Sequence, residues 1–296
     1  MKFYIVTPTY NALGWLQRCV QSVADQACEQ VEVHHHVQDG GSADGTPEWL
    51  AAWQQEHAAT PGYTLTYQSA ADAGMYDAIN KAWAQMPADA DVTAHLNSDE
   101  QYLPGGLKKI AAELAAHPKA DIAISSYVIF DAQNRYICHR RPIRPYKWIS
   151  RTVCEIVTCA CFHRVPGFVR HGVRFNPHWR SIGDLVMYSE IVNTSPRFLV
   201  LPNVVASAFA VTGSNLAWTD VTRREWPEYY ATVPALYRAL SKLAAFCSNL
   251  KRRSCDLWYP APTLYEIYHK DATTRTRHFI KRPTSHWGCR TEGVDE

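Results

Sequence analysis

Residues 94–106 read AHLNSDEQYLPGG: an apolar run stops in Asn97, Ser98, Asp99 and Glu100, and Pro104 and two glycines follow. Two adjacent carboxylates are a costly way to end a buried strand unless something uses them. Asp99 beside Asn97 suits a hard divalent cation, which takes oxygen ligands and keeps several of them from a bound diphosphate. Such a cation would stabilise negative charge building on a departing phosphate. On spacing alone the group is a weak motif, because the same residue types also serve turns and caps.

The elements that must position these residues alternate along the first half of the chain. KFYIV is a short apolar run, after which Leu13, Leu16, Val20 and Val23 recur at helical spacing behind Asn11, a candidate N-cap. In VEVHHHVQDGG, Val31, Val33, His35 and Val37 share one strand face, and Asp39 closes the run before two glycines. Thr46 is placed to cap a helix whose first position is Pro47. YTLTY reads as a third strand, GMYDAINKAWAQM as a helix, DVTAHL as a fourth strand and PGGLKKIAAELAAH as another helix. Strands separated by helices predict a mostly parallel central sheet covered on both faces. In such sheets ligands bind outside the carboxyl ends of the strands. Polar residues stand there after each strand: Thr7 to Tyr10, then Asp39, then Asp72, then Asn97 to Glu100.

On the helix after the third strand, Tyr76, Ile79, Trp83 and Met86 fall on one side, and Asp77, Asn80 and Lys81 on another. Asp77 and Lys81 are spaced for an i, i+4 ion pair. Asn80 and Lys81 also lie in the first turns of a helix opening at the carboxyl edge, where a phosphate or ribose is accommodated.

Composition narrows the classes. With 296 residues and 47% apolar content, the chain is long enough for a sizeable core. A net charge of +2 argues against a dedicated nucleic-acid binder. The N-terminal apolar run is too short for a signal-peptide core, and no run reaches the ~18 apolar residues of a spanning helix, so a cytoplasmic location is expected. Nine scattered cysteines fit reduced thiols. His34 and His36 share a strand face but lack a third ligand, and Cys154, Cys159 and Cys161 lack zinc-site spacing and read as buried thiols. DGGSADGT lacks the G-x-G-x-x-G spacing of a dinucleotide loop.

The segments VTPTYN (6–11), QDGGSADGT (38–46), DAGMYDAINKA (72–82), HLNSDEQYLPGGL (95–107), FHRV (162–165) and IGDLVMYSEI (182–191) occur in the order and spacing of glycosyltransferase family 2. The chain resembles that family over about residues 1–215. The resemblance implies a GT-A fold, a nucleotide-sugar donor, usually a UDP-sugar, a Mg2+ or Mn2+ ion, and transfer with inversion at the anomeric centre. It implies that Thr7, Pro8 and Tyr10 line the base and ribose pocket, that Asp39 accepts a hydrogen bond from the pyrimidine, and that Asp72, Asn80 and Lys81 lie near the ribose and diphosphate. Asn97, Ser98 and Asp99 match the family's Asp-x-Asp element with Asn in first place. Asp99 is then the metal ligand, with Glu100 either a second ligand, a surface residue or a residue behind the first ligand. Asp184 matches the catalytic base, although the residue type before LVMYSEIV also suits a helix N-cap.

The expected organisation is a catalytic domain over 1–215, with a nucleotide half to about 107 and an acceptor half from 108, and a helical, basic extension over 216–296. Residues 251–290 hold nine Lys or Arg against three Asp or Glu. That tail reads either as a solvated helical face or as a peripheral contact with an anionic membrane, useful for a lipid-linked saccharide acceptor in surface polysaccharide or glycolipid synthesis. Two other classes compete: a sugar-phosphate nucleotidyltransferase, which needs a basic loop where TPTYNALG has none, and a non-catalytic nucleotide-binding homologue.

Overall fold

The computed structural model describes residues 1–212, 219–254, 258–270 and 273–285. In chain order the elements are β1 (Lys2–Thr9), α1 (Leu13–Ala24), β2 (Glu32–Asp39), α2 (Thr46–Glu56), β3 (Tyr63–Ser69), α3 (Met75–Trp83), β4 (Val92–His95), β5 (Glu100–Tyr102), α4 (Gly106–Ala116) and β6 (Ile122–Asp131). They continue with β7 (Tyr136–Arg140), β8 (Cys161–Arg164), α5 (Val165–Arg170), α6 (Gly183–Asn193), β9 (Phe198–Val211), α7 (Asp220–Thr232), α8 (Ala235–Ala239), α9 (Ser241–Ser254), β10 (Thr263–Tyr268) and β11 (Arg275–Ile280).

One sheet runs in the order β3-β2-β1-β4-β8-β6-β9-β5, with β7 beside β6. Strands β1 to β4, β6 and β9 point one way, and β5, β7 and β8 run against them. The sheet is therefore mostly parallel, as expected, with helices around it. Alternation along β1 sends Phe3 and Ile5 into one apolar cluster with α1 and α4, and Tyr4 and Val6 into a second with α3 and α6. Val31, Val33, His35 and Val37 are all buried on one face of β2. The His35 imidazole is accommodated because Thr7 Oγ1 lies 2.8 Å from its Nε2, and burial pushes its pKa down to about 3, so the ring is neutral. His34 and His36, on the other face, both spend a ring nitrogen on Thr66 Oγ1 at 2.9 Å.

The helix starts differ from expectation. Asn11 does not cap α1, because a backbone φ of 46° turns its side chain toward the Ala43 N–H. Thr46 lies inside α2 instead of capping it. A single carboxylate does both jobs: Asp44 accepts from Leu13 N–H at 2.9 Å and from Thr46 N–H at 3.2 Å. On α3, Tyr76, Ile79 and Trp83 are buried, but the helix stops at Trp83, so Met86 lies beyond it. Cys159 and Cys161 are buried thiols; Cys154 is exposed, because it sits in the irregular chain between β7 and β8.

The boundary expected near residue 215 falls outside the described residues. Beyond it α7, α8 and α9 supply the helical extension, and β10 and β11 add a hairpin that the helical reading did not include. The hairpin buries Tyr265, Ile267 and Ile280 against Val128 and Phe130 of β6 and Ala208 and Ala210 of β9. Gln101 ties it to β5: the side chain donates to Tyr268 O at 3.0 Å and accepts from Tyr268 N–H at 2.8 Å. No helix among the described residues is long and apolar enough to cross a membrane.

The two glycines after Pro104 divide the work of turning into α4. Gly105 has φ +65° with open space where a methyl would stand, whereas a Cβ on Gly106 would lie 2.5 Å from Ala206 O. Gly106→Ala is therefore expected to destabilise by about 1–3 kcal/mol through a backbone clash. Gly105→Ala should cost only ~1 kcal/mol, from its φ alone. Thermal melting of the two variants checks the order, and equal losses would contradict it.

Candidate active site

The carboxyl ends of β1, β2 and β3 converge at Gly40. A Cβ there would meet Asp72 Oδ2 at 2.9 Å and Tyr10 Cδ2 at 3.3 Å, so the side chains that follow β1 and β3 close over this glycine. Tyr10 is 66% exposed at the mouth, and Pro8 is buried beneath it. Thr7, expected at the pocket wall, is fully buried on the α1 side of β1 and acts from below through His35. Asp39 is also fully buried, and its oxygens already hold Ser42 N–H at 3.0 Å, the Ser42 hydroxyl and the Ser69 hydroxyl. In this structure it organises the Gly-rich turn with these donors.

Asp72 starts α3: its carboxylate accepts from Gly74 N–H at 2.7 Å. Lys81 pairs with Asp77 at 2.9 Å, as its spacing predicts, and its ammonium lies 3.4 Å from Ala71 O. The Ala73 N–H and Lys81 together hold the Asp77 carboxyl below its ordinary range. Asn80 has a different task from the expected one. Its amide donates to Phe175 O at 2.8 Å and accepts from Phe175 N–H at 3.1 Å, so it fastens residue 175 onto α3 and is occupied on both sides.

The turn between β4 and β5 sorts its two carboxylates. Asp99 is partly exposed at the rim, and its carbonyl accepts from Ala210 N–H at 3.3 Å. Glu100, the first residue of β5, is 1% exposed and folds under the turn, where Oε2 accepts from Asn97 N–H at 2.6 Å. Burial, with Asp99 beside it, raises the Glu100 pKa well above the usual carboxylate range. Glu100 therefore supports the turn from within, whereas Asp99 lies in the turn itself. Ser98 lies at the turn itself, half-buried. Asn97 Oδ1 is a buried oxygen without a hydrogen-bond partner. A carboxylate at the rim beside an orphaned amide oxygen is a hard-oxygen donor set, which fits Mg2+ or Mn2+ completed by diphosphate oxygens and water. Among the described residues no three His, Cys, Asp or Glu side chains gather as an all-protein metal cage.

Asp184 stands in the first turn of α6, half-buried, two residues past the cap position, which Ile182 occupies. Burial raises its pKa above the usual aspartate value. The approach to α3 is close: a Cβ on Gly183 would lie 2.5 Å from Tyr76 Cε2. The Tyr76 hydroxyl accepts from Asp184 N–H at 3.3 Å and donates to Ser181 O at 3.2 Å. Arg180 reaches the same loop, donating to Ala73 O at 3.0 Å and covering Gly74. Residues 180–184 thus lie on the loop that carries Asp72, at the carboxyl edge of the parallel strands. Sequence reasoning missed Tyr76, Arg180 and Gly183 as parts of this junction. The one available signal was a glycine immediately before an acid, in SIGD.

Comparison with known proteins gives the family and the fold. The model of the family described as "Glycosyl transferase family 2" matches residues 4–172. An uncharacterised glycosyltransferase of Mycobacterium tuberculosis is 34% identical over 98 residues, 33% of this chain and 34% of that protein. A PGL/p-HBAD biosynthesis glycosyltransferase of Mycobacterium bovis is 27% identical over 135 residues, 45% of this chain and 50% of that protein. The matches thus span a third to a half of the length of these curated relatives. Among solved structures, Staphylococcus aureus TarS 1–349 in complex with UDP-GlcNAc superposes with a TM-score of 0.61 at 18% identity, covering 78% of this chain and 64% of that one. The mannosyltransferase PcManGT of Pyrobaculum calidifontis, in complex with GDP-Man and Mn2+, gives 0.54 at 16% identity, covering 86% and 79%. The strand order, the rim of polar chain ends and the family match lead to one conclusion: the chain is a GT-A-fold member of glycosyltransferase family 2.

Proposed function

We propose that this glycosyltransferase takes a sugar from a nucleotide-sugar, most simply a UDP-sugar, and transfers it with inversion to an acceptor hydroxyl. The observation that carries the reading is the junction at Tyr76, which seats Asp184 on the loop bearing Asp72 at the rim where the donor-side chain ends meet. The donors named for TarS and PcManGT support a nucleotide-sugar partner.

In this reading the Asp184 carboxylate takes the proton of the acceptor hydroxyl as its oxygen bonds the anomeric carbon, and the bond from that carbon to the nucleoside diphosphate breaks on the opposite face. The half-buried setting that raises the Asp184 pKa makes it a stronger base than a solvated aspartate. Tyr10 and the turn organised by Asp39 shape the base and ribose pocket, with Thr7 and Pro8 beneath. Asp72 and Lys81 set the loop under the diphosphate, and Asn80 holds residue 175 against it. Asp99, with Asn97 and Ser98 in the same turn, would hold Mg2+ or Mn2+, which when bound offsets charge on the departing diphosphate.

We place the protein in the cytoplasm, at a membrane face, acting on a saccharide or lipid-linked acceptor of surface polysaccharide or glycolipid synthesis. Leu243, Phe246 and Leu250, spaced three and four apart on α9, are exposed together with Leu236 of α8. Ala244, Ser248 and Arg252 form the opposite, buried side. Residues 233–254 contain Arg238, Lys242, Lys251, Arg252 and Arg253 and no Asp or Glu. An outward apolar stripe on a helix that also exposes Lys242 and Arg253 complements an anionic lipid surface.

UDP release from a panel of UDP-sugars is expected to identify a donor. With it, Asp184→Asn should lower kcat about 10²–10⁴-fold while UDP affinity, read by calorimetry, stays within about twofold; retained turnover removes Asp184 from the base role. Because its pKa is raised, the acid limb of kcat/KM should lie above about pH 4, with activity lost as pH falls through it. Asp99→Ala should abolish the dependence of UDP binding on Mn2+, and undiminished Mn2+-linked binding would contradict the metal role. Anionic vesicles should retain the full chain in flotation at low salt, and the pair Phe246→Ser and Leu250→Ser should release it; equal retention by zwitterionic vesicles would refute the membrane face.

A further inference from the structure

We propose that Glu225 of α7, outside the family-matched region, is a positioning residue for the candidate base: its carboxylate fixes the loop from which Asp184 projects. The inference rests on the reading of Asp184 given above.

Three consecutive backbone N–H groups converge on this one side chain. Arg180 N–H donates to Oε1 at 2.6 Å, and Ser181 and Ile182 N–H donate to Oε2 at 3.0 and 3.2 Å. Glu225 is only 8% exposed, so these are charge-assisted bonds in a sheltered place. They lie immediately ahead of α6, where a negative charge also complements the helix N-terminus. The clamp has a second jaw. Tyr76 grips the same loop from α3 through Ser181 O and Asp184 N–H, and Arg180 reaches Ala73 O. Around the clamp, Trp179, Ile182, Leu185 and Val186 pack against Tyr229 and Val233 of the segment carrying Glu225, and the Ser181 and Thr222 hydroxyls meet. The loop is thus held between the donor-side helix and the extension, with Asp184 two residues beyond the last clamped N–H.

The chemical need for a carboxylate is specific. A glutamine in its place offers one carbonyl oxygen and turns an N–H2 toward a backbone N–H, so at least one of the three bonds is lost and a donor faces a donor. A base misplaced by about 1 Å costs up to ~100-fold in rate. The extension is then part of the catalytic apparatus, because one of its side chains sets the direction of a carboxylate in the matched fold's neighbourhood.

The test compares the full-length wild type with Glu225→Gln and, as a control on the same helix, Asp220→Asn, whose carboxylate pairs with Arg223 in solvent. Four readouts are taken: hydrogen exchange at the amides of residues 180–182, kcat for UDP release, UDP affinity and cooperative melting. Glu225→Gln is expected to exchange at least tenfold faster in that loop and to lose about 10–100-fold in kcat, with UDP affinity within twofold; Asp220→Asn should match the wild type. Glu225→Asp, one methylene short but still doubly accepting, should fall between them, and it replaces the glutamine variant if that variant does not melt cooperatively. Wild-type kcat in a variant whose loop exchanges faster would overturn the positioning role, as would unchanged exchange. A wild type that releases UDP from no nucleotide-sugar would overturn the transferase reading instead, and the exchange arm would still report whether the clamp exists.

Discussion

A single tyrosine hydroxyl joins the two sides of the candidate site. Tyr76 stands in the first turn of the helix after β3, and the chain passing over it must come within hydrogen-bonding reach of Oη with both a carbonyl and an N–H. That is feasible only because residue 183 has no side chain, since a methyl there would occupy the volume of the tyrosine ring. The ring is in turn held from behind by Phe175, stacked at a centroid distance of 4.5 Å, and Phe175 is fastened by the Asn80 amide. Loosening any of these would separate the acid of α6 from the loop carrying Asp72. The surrounding sheet order serves the same end, because β1, β2, β3 and β4 all deliver their last residues to this edge.

The turn between β4 and β5 places its two acids in different surroundings. Asp99 and Glu100 are neighbours in the chain, yet one reaches the rim and the other enters the core, where burial favours its proton-bearing form. The buried member holds the backbone of Asn97 and thereby the shape of the turn. Behind it, Gln101 locks β5 to the C-terminal hairpin, so the extension stiffens the candidate metal-binding turn as well as the loop before α6.

Local signals made much of this legible. The parallel strands, the buried faces of α1 and α3, the Asp77–Lys81 pair and the convergence of polar chain ends all follow from period and punctuation, which act over a few residues. What was not legible depends on partners far along the chain. Asn80 looks like a phosphate contact until Phe175 arrives 95 residues later. Thr7 looks like a pocket residue until His35 is found to need its hydroxyl. Asn11 and Thr46 are good caps by type, but Asp44 reaches both helix starts and displaces them. The three-residue β5 and the β10 to β11 hairpin carry too little pattern to be seen before the surface they pair with is known. Asp184 itself was visible through family register alone, and its junction with Tyr76 through neither register nor period.

In the function proposed above, the turn bearing Asp99 and the loop bearing Asp184 border one space that takes the nucleotide-sugar. A crystal structure of the protein with UDP and Mn2+ tests it most directly. The account predicts a Mn2+ ion on the Asp99 carboxylate, the diphosphate between that turn and the Asp72 loop, and the Asp184 carboxylate across an open, sugar-sized space from the ion. Nucleotide seated elsewhere, or packed chain filling the space between the two aspartates, would contradict it.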